Sequence, residues 1–220
     1  MGKRRQIEAI NGEFQLPEPV IQRIQSFLTA REAARTTTLS KSWYSAWLTR
    51  PNLDLDETNF NGYRGDSKFD EFSEFAKKTI KRYEQSNLNI ESFRLQIKNP
   101  WGNLAINASG DLANDLITRA LRIGATHLSF QQVGPYESVV LSPELFEAEN
   151  LVGISVGWCI IDDLGLDREV RCSKLKSLSL SSVEITSEMI SNITSCCPLI
   201  EKLSLSSISS FKRKKKRKGW

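Results

Sequence analysis

Leu175–Val183 reads LKSLSLSSV, and Ile200–Ile208 reads IEKLSLSSI. The apolar positions coincide: Leu178, Leu180 and Val183 return as Leu203, Leu205 and Ile208, each 25 residues later. Alternation of this kind places apolar side chains on one face of a strand and polar ones on the other. Working backwards, Ile154 and Val156 precede Leu178 and Leu180 by 24 residues. Leu128, Phe130 and Val133 stand 50 residues, two periods, before Leu178, Leu180 and Val183. Phe93 and Leu95 lie 35 residues before Leu128 and Phe130, so that interval carries an insertion.

Helical patterns fill some of the intervals. Phe69, Phe72, Phe75, Ala76 and Ile80 mark an amphipathic helix to about Tyr83. Leu112, Leu116, Ile117, Ala120 and Leu121 mark another over Leu112–Ile123, and Thr186 with Met189, Ile190 and Ile193 a third, ended by Pro198. Leu53 and Leu55 in Pro51–Glu57 read as a short opening strand, and Asn59–Lys68 as a loop. L-x-L strands at a period in the twenties, each returning through a helix or looser turn, are leucine-rich repeats. Ordinary β–α alternation in an α/β domain is the competing reading; the steady register over three intervals favours repeats. A solenoid of this type aligns parallel strands into a binding wall and has no built-in catalysis.

Upstream, Phe14–Pro51 reads FQLPEPVIQRIQSFLTAREAARTTTLSKSWYSAWLTRP, a three-helix pattern. Val20, Ile21, Ile24, Phe27 and Leu28 form an apolar stripe, with Pro17 and Pro19 in the first turn where missing N–H groups cost little. Thr29-Ala-Arg-Glu32 fits a capping box, and Ser40 can cap a third helix carrying Trp43 and Trp47. Ala33, Ala34 and Thr37 give the middle helix a thin face. Chains this short rarely bury enough surface to fold alone, so part of the apolar surface is expected to meet a partner or the following domain.

This stretch resembles an F-box, in the form common in plant F-box proteins with leucine-rich repeats. The matching residues are Leu16-Pro17-Glu18, Ile24, Ser26-Phe27-Leu28, Arg35-Thr36, Leu39-Ser40-Lys41, Trp43, Trp47 and Pro51-Asn52-Leu53-Asp54-Leu55-Asp56. Ser42 stands where the family usually has a basic residue, and Pro19 where it usually has an acidic one. With the repeats behind it, the resemblance covers most of residues 14–210. It implies an F-box at 14–51 and irregular leucine-rich repeats with a parallel sheet at 52–210; the short polar segment 1–13 is expected to be disordered, and 211–220 reads as a basic tail. It also implies a Skp-type adaptor as partner, and through it a cullin carrying ubiquitin-conjugating machinery. The chain would be a non-catalytic subunit of an SCF-type ubiquitin ligase that holds a protein substrate near the charged ubiquitin carrier, raising its effective concentration. On the matching positions, Leu16, Pro17, Val20, Ile21, Ile24, Leu39 and Trp43 are expected to face the adaptor, with Trp43 and Pro17 as anchors. For Ile24 and Leu28 an internal core role is the standing alternative. Phe27 and Trp47 are expected to pack inside the unit or against the repeats. Family members generally continue with more repeats, so the resemblance implies a short or C-terminally truncated form.

Composition narrows the rest. Lys212, Arg213, Lys214, Lys215, Lys216, Arg217 and Lys218 carry seven of the positive charges; removing them from the net +4 leaves −3. The run fits nuclear import or a nucleic-acid contact, or a charged terminus that keeps the last strand from pairing with other chains. A nuclear protein acting on nucleic acid through this tail is therefore the alternative function. Nothing near the N-terminus resembles a signal peptide, and no apolar run is long enough to span a bilayer, so nucleus and/or cytoplasm are expected. Cys159, Cys172, Cys196 and Cys197 lack CxxC spacing and His127 is the single histidine, which argues against a zinc site and points to reduced, packed thiols. Asp162-Asp163 and Glu147/Glu149 have no nucleophilic or basic companion, and no Gly-rich phosphate loop is present. No catalytic residue, metal or cofactor is expected.

Overall fold

The structure, a computed structural model, describes residues 16–60, 67–98, 103–134, 138–161 and 169–210. Its backbone contacts divide the chain into two units, Met1–Arg50 and Pro51–Trp220. The expected disordered segment and the basic run fall outside the described residues.

Three short helices make the first unit: α1 (Glu18–Ser26), α2 (Ala30–Thr36) and α3 (Lys41–Leu48). Pro17 caps α1 through its backbone, and Pro19 sits in the first turn. Thr29 forms the expected capping box: its Oγ1 accepts the Glu32 N–H at 3.3 Å, while the Glu32 carboxylate accepts from the Thr29 N–H at 3.0 Å. The Thr29 N–H first, then the Thr29 hydroxyl, which donates to the same carboxylate at 2.8 Å, hold the Glu32 carboxyl below its ordinary range. Ser40 Oγ accepts the Trp43 N–H at 3.4 Å and starts α3. The core of this unit is thin: Ile21, Ala33 and Ala46, with Gln25 buried among them.

The second unit is built on strands β1 (Asn52–Asp56), β2 (Ser92–Lys98), β3 (His127–Val133), β4 (Val139–Leu141), β5 (Gly153–Ile161), β6 (Ser177–Glu184) and β7 (Lys202–Ser206). All pairings are parallel, in the order β1-β2-β3-β5-β6-β7, with β4 pairing β5. Two apolar columns cross the sheet in register. One runs Leu53, Phe93, Leu128, Ile154, Leu178, Leu203, and the other Leu55, Leu95, Phe130, Val156, Leu180, Leu205. The sequence spacing is thus the sheet register itself. Parallel neighbours require crossovers. These include α4 (Ser67–Gln85), α5 (Asn103–Ile123) and α6 (Ser187–Cys196). Phe72, Ala76, Ile80 and Tyr83 of α4, Leu112, Leu116 and Ala120 of α5 and Met189 and Ile193 of α6 join the core cluster. Arg119 donates from Nε and Nη2 to the two carboxylate oxygens of Glu84, at 2.8 and 2.7 Å, and clamps α5 to α4.

Two expectations are corrected. The helix expected from Leu112 begins at Asn103, nine residues earlier. Asn107, Ser109 and Gly110 obscured the period, yet Gly110 lies where an added Cβ would meet β4 at 3.7 Å. Val133 is not the counterpart of Val183. It is 42% exposed, while Gln132 is buried and accepts the Val139 N–H at 2.7 Å. The reason is a bulge that β3 lacks. Trp158, Ser182 and Ser207 have φ of 55°, 53° and 53°. Each adds one left-handed residue, so Cys159, Val183 and Ile208 turn inward after two outward positions instead of one. β3 alternates without interruption, and Val133 therefore points outward.

Candidate functional site

Helical geometry splits the first unit's apolar stripe in two. Ile21, Gln25 and Leu28 are spaced four and three apart and face inward: Ile21 is 1% exposed, and Leu28 is half-buried. Pro17, Val20, Ile24 and Phe27 are spaced three, four and three apart, and all four are exposed. Ile21 is thus core and is withdrawn from the expected docking residues; one residue, about 100° of helix rotation, separates it from exposed Val20. Of the others, Leu16 and Trp43 are half-buried, while Pro17, Val20, Ile24 and Leu39 are exposed, Leu39 at 65% in the α2–α3 turn. Phe27, expected to pack internally, is 73% exposed under the Arg23 guanidinium, 4.6 Å from its ring centroid. Tyr44 is also exposed. The 17–20–24–27 spacing already carried this signal, because it is one complete stripe. Among residues 16–50 the exposed charges are mostly basic: Arg23, Arg31, Arg35 and Lys41 against Glu18 and Glu32, while Arg50 is buried.

The second surface is the outward face of the sheet. Its middle row runs Asp54, Arg94, Ser129, Ser155, Ser179, Ser204, and the next Asp56, Gln96, Gln131, Gly157, Ser181, Ser206. From β3 to β7 these rows hold hydroxyls, one amide and a glycine. Gly153 and Gly157 leave room for their β3 neighbours: a Cβ at Gly157 would lie 2.5 Å from Gln131 Oε1 and one at Gly153 2.8 Å from the His127 ring, so either side chain would have to shift. His127 thus covers backbone, with Nδ1 3.1 Å from Thr126 Oγ1.

Among the described residues no cluster of three His, Cys, Asp or Glu residues could hold a metal. Cys159, Cys172 and Cys197 are buried and Cys196 is exposed. Burial pushes the Cys159 and Cys172 thiols up to about 12, so both stay protonated. Cys172 Sγ donates to the Phe146 carbonyl at 3.0 Å and serves packing. Glu147 and Glu149 are exposed, and Asp162-Asp163 lies outside the described residues.

Parallel strands in one register, one strand per 24 to 26 residues from β3 to β7, with an apolar inner face and a polar outer one, define a leucine-rich-repeat protein. The comparisons agree. Residues 115–217 match the family model for the LRR repeats of FBD-associated F-box protein At5g56370. F-box/LRR-repeat protein At3g59200 of Arabidopsis thaliana is 29% identical over 199 residues, covering 88% of this chain and 36% of that one. The putative FBD-associated F-box protein At5g22720 of the same plant is 28% identical, covering 86% and 38%. F-box/LRR-repeat protein At4g14103, also of Arabidopsis thaliana, is 24% identical, covering 89% and 49%. The chain is a relative of the plant F-box/leucine-rich-repeat proteins. It spans between about a third and a half of the length of these three relatives. No solved structure matches.

Proposed function

We propose that the chain is the substrate-recruiting subunit of an SCF-type ubiquitin ligase. The first unit acts as the F-box and docks on a Skp-type adaptor, which joins a cullin. The repeats hold a protein substrate. The subunit supplies no bond-making group; it raises the concentration of substrate lysines near the ubiquitin carrier. The observation that carries this reading is the open stripe Pro17, Val20, Ile24 and Phe27 beside exposed Leu39, on a unit whose own core holds little more than Ile21, Ala33 and Ala46. An apolar face left open on so small a unit is best explained by a partner that covers it. Its basic surround favours an adaptor surface with acidic margins. Lys212–Lys218 supports entry into the nucleus, where we place the ligase at least part of the time.

The test is co-purification of the full chain with a Skp-type adaptor. Leu16→Ala with Pro17→Ala is expected to abolish it while the circular dichroism spectrum is kept. Adaptor binding at wild-type strength in a folded double variant overturns the assigned face.

A further inference from the structure

The sheet's outward face changes character at the C-terminal ends of its central strands. Val140 of β4 pairs with Ile160 of β5, and their neighbours Val139, Leu141, Cys159 and Ile161 all face the core. Val140 and Ile160 therefore point outward, beside Trp158, which is 49% exposed. Three apolar side chains thus interrupt a wall that from β3 to β7 is otherwise polar or glycine.

Trp158 is the odd residue. The bulge needs a left-handed conformation, which a small residue accepts far more readily than an indole. At the same register β6 and β7 use Ser182 and Ser207. A bulky residue held in a costly conformation, half in solvent, beside strands that solve the same problem with serine, indicates a task other than folding.

Charge defines the occupant. Glu184 pairs with Ile160 on the β6 side of the patch, and it has no ion-pair partner among the described residues. Farther along the sheet, exposed Lys98 of β2 pairs with Val133 of β3. A carboxylate disfavours phosphate, and a lysine at the far end disfavours a cation there. We infer that Trp158, Ile160, Val140 and Glu184 form the substrate-reading spot of the repeats. It takes a protein segment in which an aliphatic or aromatic side chain lies within a few residues of a lysine or arginine. The apolar side chain rests on Val140 and Ile160. The cation lies over the Trp158 ring and against Glu184, at the β6 end. This deepens, and rests on, the reading of the repeats as a substrate holder.

The experiment selects binders of the purified full chain from a phage-displayed random dodecapeptide library and measures the recovered peptides by fluorescence anisotropy. Apolar-plus-basic sequences are expected. Trp158→Asn should weaken them about tenfold or more, since one buried aromatic anchor commonly carries that much. The same variant should melt at or above the wild-type temperature, because asparagine suits the left-handed bulge. Should it melt lower, Glu184→Lys decides: it is expected to shift the selected sequences from basic to acidic. Recovery of no peptides, of peptides without a basic residue, or of peptides indifferent to both substitutions overturns the inference. Adaptor co-purification is run on the same variants and should be unchanged. Loss of peptide binding with the adaptor still bound concerns this spot alone. Failure of the wild-type chain to bind an adaptor, with peptide binding intact, overturns the ligase reading and leaves the spot standing.

Discussion

Gln25 is the side chain on which the three short helices converge. Its Nε2 donates to Thr36 Oγ1 at 2.9 Å and to the Trp43 carbonyl at 3.2 Å, so one amide on α1 touches α2 and α3. Its Oε1, like Trp47 Nε1, is buried without a hydrogen-bond partner among the described residues. A buried acceptor left unmet costs about 1–3 kcal/mol, whereas each bond it makes returns about 1 kcal/mol. Thr36 keeps its bond to the Ala33 carbonyl whatever stands at 25. Losing two bonds of about 1 kcal/mol each nearly offsets the relieved cost of about 1–3 kcal/mol, so Gln25→Leu should leave the first unit within about 1 kcal/mol of its stability, seen as a urea midpoint close to wild type with unchanged slope; a clearly lower midpoint would show that the amide's bridging outweighs its orphaned oxygen. Glu57 is the matching case in the second unit. Burial raises its carboxyl above the ordinary range, against the pull of the Lys98 N–H it accepts at 2.8 Å. The folded state thus holds this proton more tightly than the unfolded one. That contribution is complete below the ordinary glutamate range near 4.5 and is lost as pH rises through the elevated folded value. Glu57→Gln keeps an acceptor for Lys98 and should flatten this fall in a stability–pH profile; an unchanged slope would place the titration elsewhere.

Among the elements, the bulged strands show what sequence spacing can and cannot say. LSLSSV and LSLSSI carry the period and the register of β6 and β7 because parallel pairing sets identical positions side by side, Leu178 and Leu180 in the core and Leu203 and Leu205 half-exposed on the last described strand. They also placed two residues, not one, between the second leucine and the valine. Alternation alone cannot say whether such a slip is a bulge or the end of a strand, so Val133 was aligned with Val183 although β3 carries no bulge. Likewise 17–20–24–27 was readable as a stripe, but Ile21 and Phe27 exchanged expected roles, because helix rotation is fixed by which residues the neighbours cover. The bulge yields a test. At Ser182 a β-branched side chain must sit at φ near 53°. Ser182→Val should destabilise the second unit by roughly 1–2 kcal/mol, and Ser182→Gly should be neutral or better. Equal midpoints for the two in urea would remove the left-handed residue as the cause of the inward turn at Val183.

At the scale of the whole molecule, charge is separated more sharply than structure. The residues before Lys212 sum to −3, while Lys212–Lys218 carries +7. The sum hides both, and only position along the chain reveals that the basicity is one block. A contiguous cationic block of this length is what an import receptor reads, and it is also a nonspecific phosphate binder. The two uses differ in their response to sequence and salt. Fused to a reporter too large to enter the nucleus by diffusion, the full chain should accumulate there, and a chain with Lys212–Lys218 changed to serine should not. The same serine variant should co-purify with the adaptor at full strength, since Pro17, Val20 and Ile24 are untouched. If instead the tail served nucleic acid, DNA binding in vitro would fall steeply between low and physiological salt, and nuclear retention would follow that binding. Uniform distribution of the wild-type reporter would remove import from the tail's roles and leave protection of the β7 edge as the use to be examined.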